Sequence, residues 1–436
     1  MSYQYPQGTA GVLAPTTEPD VYRKVTWRLI PFFCLCYLAA YLDRINVGLA
    51  KLQMLDDLKF SETVYGLGAG LFFVGYILFE VPSNLVLQKV GARIWIARIM
   101  VTWGLLSGAT MFVTTPTQFY IVRFLLGAAE AGFLPGVLLY LTYWYPTHRR
   151  SKIIALFMIG LPLASMIGSP ISGWIMTAFA GVYGYAGWQW LFFLEALPSV
   201  LLGVMVFFYL PNNIDSAKWL DAGEKRTLQR NLEADVLVEN QHSLKAAFTD
   251  RRVWMLGVID MCLLMGTYSI GFWMPTIIRD SGVASPLHIG LLTAIPHAVA
   301  VVAMLINGAH SDRTRERRWH IVVPVLFGAF GLVASTFVTG HTGATLALLT
   351  LANVGIVATF PVFWCLPSTF LSGTAAAAGI ALACSIANLG GFAATYLLGW
   401  MKDTFNSPSA GLILFAVCLL GSCLLVLAMP AKTVNR

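Results

Sequence analysis

The chain has 436 residues, of which 57% are hydrophobic and 11% charged, against roughly 45–50% and 25% in soluble domains. One water-facing core cannot hide that much apolar surface, so an aqueous globular protein is excluded and an integral membrane protein is expected. The formal charge of +7 would suit nucleic acid, but the basic residues fall in alternate loops between apolar runs, so lipid and not nucleic acid is the expected surroundings.

Residues 1–26 are polar and rich in Thr and Pro. They lack a charged segment leading into a short apolar core with a small-residue cleavage site, so no signal peptide is expected and the segment reads as a cytoplasmic tail. Windows of about 20 apolar residues then follow at Trp27–Leu49, Glu62–Val86, Ala92–Val113, Gln118–Trp144, Ile153–Phe179 and Trp188–Leu210. A charged stretch interrupts them. In this linker Asp221 and Glu224 have the spacing of a helix cap, and Leu228, Leu232 and Val236 recur every four residues. That pattern fits a short amphipathic helix, and its charge also fits a partly disordered tether. Six more windows follow at Val253–Ile278, Leu287–Gly308, Ile321–Thr339, Ala344–Pro367, Ala375–Trp400 and Gly411–Met429.

The expected fold is an all-α membrane protein of about twelve transmembrane helices in two six-helix halves. Residues 27–210 form the first half, 211–250 the cytoplasmic linker, 251–430 the second half and 431–436 a short tail. Lys and Arg gather at Arg23/Lys24/Arg28, Lys89/Arg93/Arg98, Arg149/Arg150/Lys152, between Lys218 and Arg252, at Arg313/Arg315/Arg317/Arg318 and at Lys432/Arg436. Lys51, Lys59, Arg279 and Lys402 fall on the other side. The positive-inside rule therefore puts both termini in the cytoplasm. All seven cysteines lie in apolar spans without Cys-x-x-Cys spacing, which argues for small buried hydrophobes rather than disulfides or a metal site.

Four charges interrupt the apolar runs of the first half: Asp43 and Arg44 in span one, Arg123 and Glu130 in span four. A charge near the bilayer centre costs roughly 3 kcal/mol or more, so each is a functional-site candidate with a partner to be found. Arg123 and Glu130 are seven residues apart, hence on one helical face about 10 Å apart along the axis. With the spans running in opposite directions, the four groups are expected to meet at one depth.

Asn84-Leu-Val-Leu-Gln88-Lys89-Val-Gly91-Ala-Arg93 between spans two and three has a counterpart in Gly308-Ala-His-Ser-Asp312-Arg313-Thr-Arg315-Glu-Arg317-Arg318 between spans eight and nine, the internal repeat expected of carriers built from parallel halves. These segments, with Asp43-Arg44-Ile-Asn46-Val-Gly48, Phe79-Glu80-Val-Pro82-Ser-Asn84, Glu130-Ala-Gly132-Phe133-Leu134-Pro135-Gly136 and Asn388-Leu389-Gly390-Gly391, resemble the anion:cation symporter family of the major facilitator superfamily. The resemblance covers residues from about 22 to 430 and is strongest to bacterial uptake permeases for tartrate, 4-hydroxyphenylacetate, phthalate and nicotinate. Gln88 stands where the loop motif of the superfamily usually has Asp, and Arg315 where its second copy usually has Gly.

The resemblance implies that Asp43, Arg44, Arg123 and Glu130 occupy the substrate and proton positions. Charge balance points the same way. With both acids ionised the cluster is neutral; when Glu130 or Asp43 takes up a proton, an arginine is freed to present a planar fork to a substrate carboxylate. Proton and anion then favour each other's binding. Arg44 and Arg123 are therefore expected to bind substrate and Asp43 and Glu130 to couple protons, with Tyr41, Tyr76, Trp273, His297, Trp364 and Asn388 as further pocket candidates. Glu80, Lys89, Arg93, Asp312 and Arg313 are expected to form a gate, with Glu80 pairing loop arginines. Glu195 and Asp260 read as structural or snorkelling. The expected function is import of a small organic anion, aromatic or hydroxy-carboxylate, by proton symport with alternating access across a bacterial inner membrane, by a monomer needing no cofactor beyond the proton gradient. An organic-anion exchanger, a sugar-acid symporter and a non-transporting sensor stay open as alternatives. No His-Glu-x-x-His, Gly-x-Ser-x-Gly or intramembrane His/Cys cluster suggests an enzyme.

Overall fold

The computed structural model describes residues 18–158, 160–238, 249–338, 340–367 and 373–435. Residues 1–17 of the expected tail, 239–248 of the expected linker and Arg436 lie outside the described residues, as do the side chains of Lys152, Val236 and Lys432. Every regular element among the described residues is helical.

Among the described residues twelve helices are long and apolar enough to cross a membrane. In chain order spans one to six are Glu18–Leu58, Glu62–Val90, Ala92–Phe112, Pro116–Thr142, Leu156–Ala178 and Gly187–Tyr209; spans seven to twelve are Arg251–Asp280, Pro286–Thr314, Arg318–Ser335, Thr342–Phe363, Gly379–Phe405 and Ser409–Ala428. Several outrun the apolar windows because capped polar turns extend them. Ser61 Oγ accepts from Val64 N–H at 3.2 Å, and Thr115 Oγ1 accepts from Gln118 N–H at 3.3 Å with Pro116 in the first turn. At the start of span seven Asp250 accepts from Arg252 N–H at 2.8 Å, and its hydrogen bonds with the Arg252 side chain hold this carboxyl below the usual range. Large side chains such as Trp27, Leu201, Phe208, Phe330 and Leu424 stay exposed along the outside, where only lipid makes that favourable.

Spans one to six pack among themselves, as do seven to twelve, and the two groups meet along spans two and eleven, five and eight, and one and seven. The linker contains the helix Ala222–Val238, closed by a reciprocal cap: Glu224 N–H donates to Asp221 Oδ1 at 2.8 Å and Asp221 N–H to Glu224 Oε2 at 2.9 Å. Lys24 binds Glu224 at 2.8 Å, and Leu228 is fully buried, so this helix is docked beside the start of span one. The end of the molecule holding this helix is called the linker side below, and the opposite end the far side.

Spans one and four break in their interiors. Span one divides into Glu18–Ile45 and Val47–Leu58 at Asn46, and span four into Pro116–Glu130 and Phe133–Thr142. The second break turns on Gly132, whose φ of +91° is a backbone conformation that side chains rarely adopt; a Cβ there would also strike Ser83. It leaves Glu130 as the last residue of a helix inside the protein. Span eight ends on Arg315 at φ +52°, in the left-handed region, so the turn forms without the glycine of the usual motif. Arg315→Gly should therefore raise stability by about 1 kcal/mol, seen as a higher melting temperature in detergent; no change would mean that the arginine side chain offsets its backbone strain.

Candidate functional site

Arg44, on the first segment of span one, reaches across to Glu130 Oε1 with Nη2 and donates through Nη1 to Tyr268 Oη of span seven at 3.1 Å. One guanidinium thus bridges the two groups of spans. Phe72 lies beneath both arginines, its ring centre 5.1 Å from the Arg44 guanidinium carbon and 5.3 Å from that of Arg123; Tyr76 and Tyr41 flank Arg44 at 5.3 and 6.0 Å.

Arg123 is fully buried. Its Nη2 lies 3.5 Å from the Arg44 carbonyl, while Nε and Nη1 have no hydrogen-bond partner among the described residues. Glu130, 1% exposed, also keeps Oε2 free of partners. Among the described residues Glu130 therefore pairs with Arg44 alone, and Arg123 has no carboxylate of its own.

Asp43 does not join them. Its carboxylate accepts from Ser107 Oγ at 2.6 Å, Trp103 Nε1 at 3.1 Å and Ser199 Oγ at 2.5 Å, all within the first six spans. The expectation that all four charges meet is corrected: neighbouring residues on a helix point about 100° apart, so Arg44 faces spans four and seven while Asp43 faces spans three and six. The arginine pair consequently carries an unmatched positive charge even with Glu130 ionised. Burying a charge without a partner costs several kcal/mol, and an anion with two oxygens in one plane would relieve it.

The remaining candidates separate. Tyr41 and Tyr76 are buried beside Arg44, whereas Trp364, just past the end of span ten, and Asn388 on span eleven are half-buried. His297 is buried within spans seven to twelve, its Nδ1 3.3 Å from Asn353 Nδ2 of span ten. Trp273 lies on the far side, its ring 3.3 Å from Lys51 Nζ. Glu80 forms no ion pair with a loop arginine among the described residues, contrary to expectation; it lies one turn beyond Tyr76 on the same face of span two. Lys89, Asp312 and Arg313 are exposed, Arg93 packs over Phe207 at 4.9 Å, and these gate candidates form no ion pair with one another. Glu195 and Asp260 are 5% and 2% exposed, so neither snorkels. Sequence reasoning missed Phe72 and Tyr268, since an aromatic residue in an apolar span carries no mark of a polar partner.

On the far side a charged network ties the two groups of spans together. Lys51 Nζ meets Glu62 Oε2 at 2.5 Å, Lys402 Nζ meets Glu62 Oε1 at 2.8 Å and Asp280 Oδ2 at 3.3 Å, and Asp403 accepts from Thr63 N–H at 2.7 Å. Beneath it spans two and eleven touch backbone to backbone: a Cβ on Gly66 would strike the Thr395 carbonyl, and one on Gly399 the Glu62 carbonyl. Glu62→Gln should loosen this end. Far-side labelling of a cysteine placed at Thr395, with the native cysteines replaced, should speed up roughly ten-fold, the factor for about 1.4 kcal/mol; unchanged labelling would show that the glycine contact holds alone.

Comparison with known proteins adds three findings. Residues 33–395 match the model of the Major Facilitator Superfamily. The chain is 62% identical, over 95% of its length and 96% of the relative's, to a Pseudomonas putida protein named "Putative metabolite transport protein NicT", and 49% identical, over 97% and 94%, to an Agrobacterium vitis protein named "Putative tartrate transporter". The fold aligns with a bacterial homologue of the lysosomal transporter Spinster in an inward-facing, occupied conformation (TM-score 0.73, 14% identity, 94% of this chain and 97% of that one) and with the xylose transporter XylE of E. coli (TM-score 0.71, 14% identity, 92% and 97%).

Proposed function

Because the chain belongs to the major facilitator superfamily, and is thereby a multi-pass transporter of a bacterial inner membrane, we propose that it imports a small organic anion together with a proton. The observation that carries this reading is a pair of arginines over one phenyl ring with a single carboxylate, held by one of them. Arg123 has two unused donor nitrogens, and Arg44 is held by Glu130. When Glu130 is protonated its hold on Arg44 weakens, and both forks can take a substrate carboxylate. The ring of Phe72 under both guanidiniums, with Tyr41, Tyr76 and Tyr268 around Arg44, suits a compact aromatic or hydroxylated carboxylate. The name of the tartrate relative supports the choice of an organic acid.

Alternating access is proposed to run through the far-side network. Lys51, Glu62, Lys402 and Asp280 close that end in this conformation, while the gate candidates on the linker side stand unpaired with one another, ready to close the other end when the far side parts. The positive-inside rule makes the linker side cytoplasmic. The substrate class is tested with purified protein against tartrate, phthalate, nicotinate and 4-hydroxyphenylacetate, using thermal shift and uptake into proteoliposomes with nicotinamide as the uncharged control. At least one carboxylate should stabilise and be taken up while nicotinamide does neither. Equal responses to nicotinate and nicotinamide would contradict a carboxylate-reading arginine pair.

A further inference from the structure

A line of polar side chains leaves the site in a direction that substrate binding does not use. On span one Asp43, Asn46, Gln53 and Asp57 occur at intervals that, with Ala50 filling the gap, follow a three-four repeat along one face. Span six answers with Ser199, Glu195 and Trp188, spaced four and seven residues apart on its own face.

The two faces pair in register. Ser199 Oγ donates to Asp43 at 2.5 Å, Asn46 lies beside Glu195, Gln53 Oε1 accepts from Trp188 N–H at 3.1 Å, and Asp57 accepts from Trp188 Nε1 at 2.7 Å. Span five contributes Ser172, whose hydroxyl donates to Glu195 Oε1 at 2.5 Å, and span three contributes Trp103 and Ser107 on Asp43. The titratable group facing Glu195 is Asp43. Asp57 is exposed at the far side, so the seam runs from the surface to Asp43 through the interior of spans one to six.

Packing alone does not account for it. Asn46 is 2% exposed and faces Glu195, yet among the described residues neither its amide atoms nor Glu195 Oε2 reaches hydrogen-bond geometry with any partner. Unpaired buried polar atoms of this kind cost about 1–3 kcal/mol each. An apolar pair would hold the two helices together more cheaply. What the seam can do, and an apolar one cannot, is hold and pass a proton.

We propose that this seam carries protons between the far-side surface and Asp43, with Glu195 as the relay. Glu195 takes a proton on its carboxylate. One helical turn deeper, about 6 Å along the axis, the Ser199 hydroxyl gives its proton to Asp43 and takes one from a bridging water, which in turn takes that of Glu195, restoring the carboxylate, the water and the hydroxyl and leaving Asp43 neutral. Loading of Asp43 from the far side is thereby separated in space from Glu130, which exchanges its proton against the cargo. The inference rests on the proton symport proposed above.

Glu195→Gln keeps the shape of the side chain and removes its titration. In proteoliposomes given labelled nicotinate, and labelled tartrate in parallel, this variant should lose roughly ten-fold or more of uptake driven by an acid exterior. Counterflow, which moves no net proton, should stay within about two-fold of wild type. Glu195→Asp should recover part of the driven uptake. Independently of any cargo, the infrared band of a protonated carboxylic acid that appears on acidifying wild-type protein should be reduced in Glu195→Gln. Driven uptake equal to wild type, equal loss of uptake and counterflow, or an unchanged carboxylic acid band would each overturn the relay. If wild-type uptake of both acids ignores the pH gradient while the band still responds to Glu195→Gln, the symport reading fails and the proton seam stands.

Discussion

Arg123→Ala is expected to lower uptake by at least roughly 100-fold while the protein still inserts and purifies, because removing one partner of a buried charged contact costs about 3 kcal/mol or more. The loss follows from geometry. Arg123 is buried, leans on Phe72, and has two donor nitrogens that nothing in the described protein uses. Its proposed partner is the cargo. Arg123→Lys should fail almost as badly, since an ammonium offers a point charge where a planar fork is needed. Because the apo protein carries the unmatched charge, the alanine variant should also melt no lower than wild type. Near-normal uptake by Arg123→Ala would remove the residue from the binding site, and a large loss of thermal stability would assign it to structure.

Glu130→Gln should have the second large effect, of a different kind. Glutamine keeps an oxygen for Arg44 but imitates only the protonated carboxyl. In the wild type, neutralising Glu130 frees Arg44, so anion affinity should fall as pH rises through the titration of that carboxyl, by up to about ten-fold per pH unit for one linked proton. The glutamine variant should bind with little pH dependence and more tightly than wild type at alkaline pH. It should exchange anion across the membrane but fail to accumulate it against a gradient. Asp43→Asn should leave the pH dependence of binding in place, since Asp43 touches neither guanidinium and is held by Trp103, Ser107 and Ser199. A glutamine variant whose affinity tracks pH as the wild type does would move the coupled proton elsewhere.

Much of this was legible in the residues. Twelve apolar windows separated by short polar turns leave few architectures once charges are confined to their ends, and the reciprocal cap at Asp221 and Glu224 is visible as a spacing. Arg44, Arg123 and Glu130 stand out because charge inside an apolar run is costly. Less legible was direction. Asp43 and Arg44 are adjacent in sequence, and adjacency concealed that a helix sends them to different neighbours. Tyr268 and Phe72 escaped notice because their roles depend on which spans lie opposite, and Trp273 belongs to the far-side network for the same reason. Glu195 read as a residue near the surface by its place in the span, yet it is enclosed by Ser172 and Asn46. The unmatched charge is likewise a property of side-chain direction, not of composition.

The most direct test places a pH indicator inside proteoliposomes and follows it while a labelled carboxylate from the screened set enters from outside. Wild-type protein should acidify the lumen in step with anion entry, and Glu130→Gln should admit anion only in exchange, with no acidification. Anion entering through the wild type while the lumen pH stays constant would contradict proton release of the arginine pair as the basis of transport.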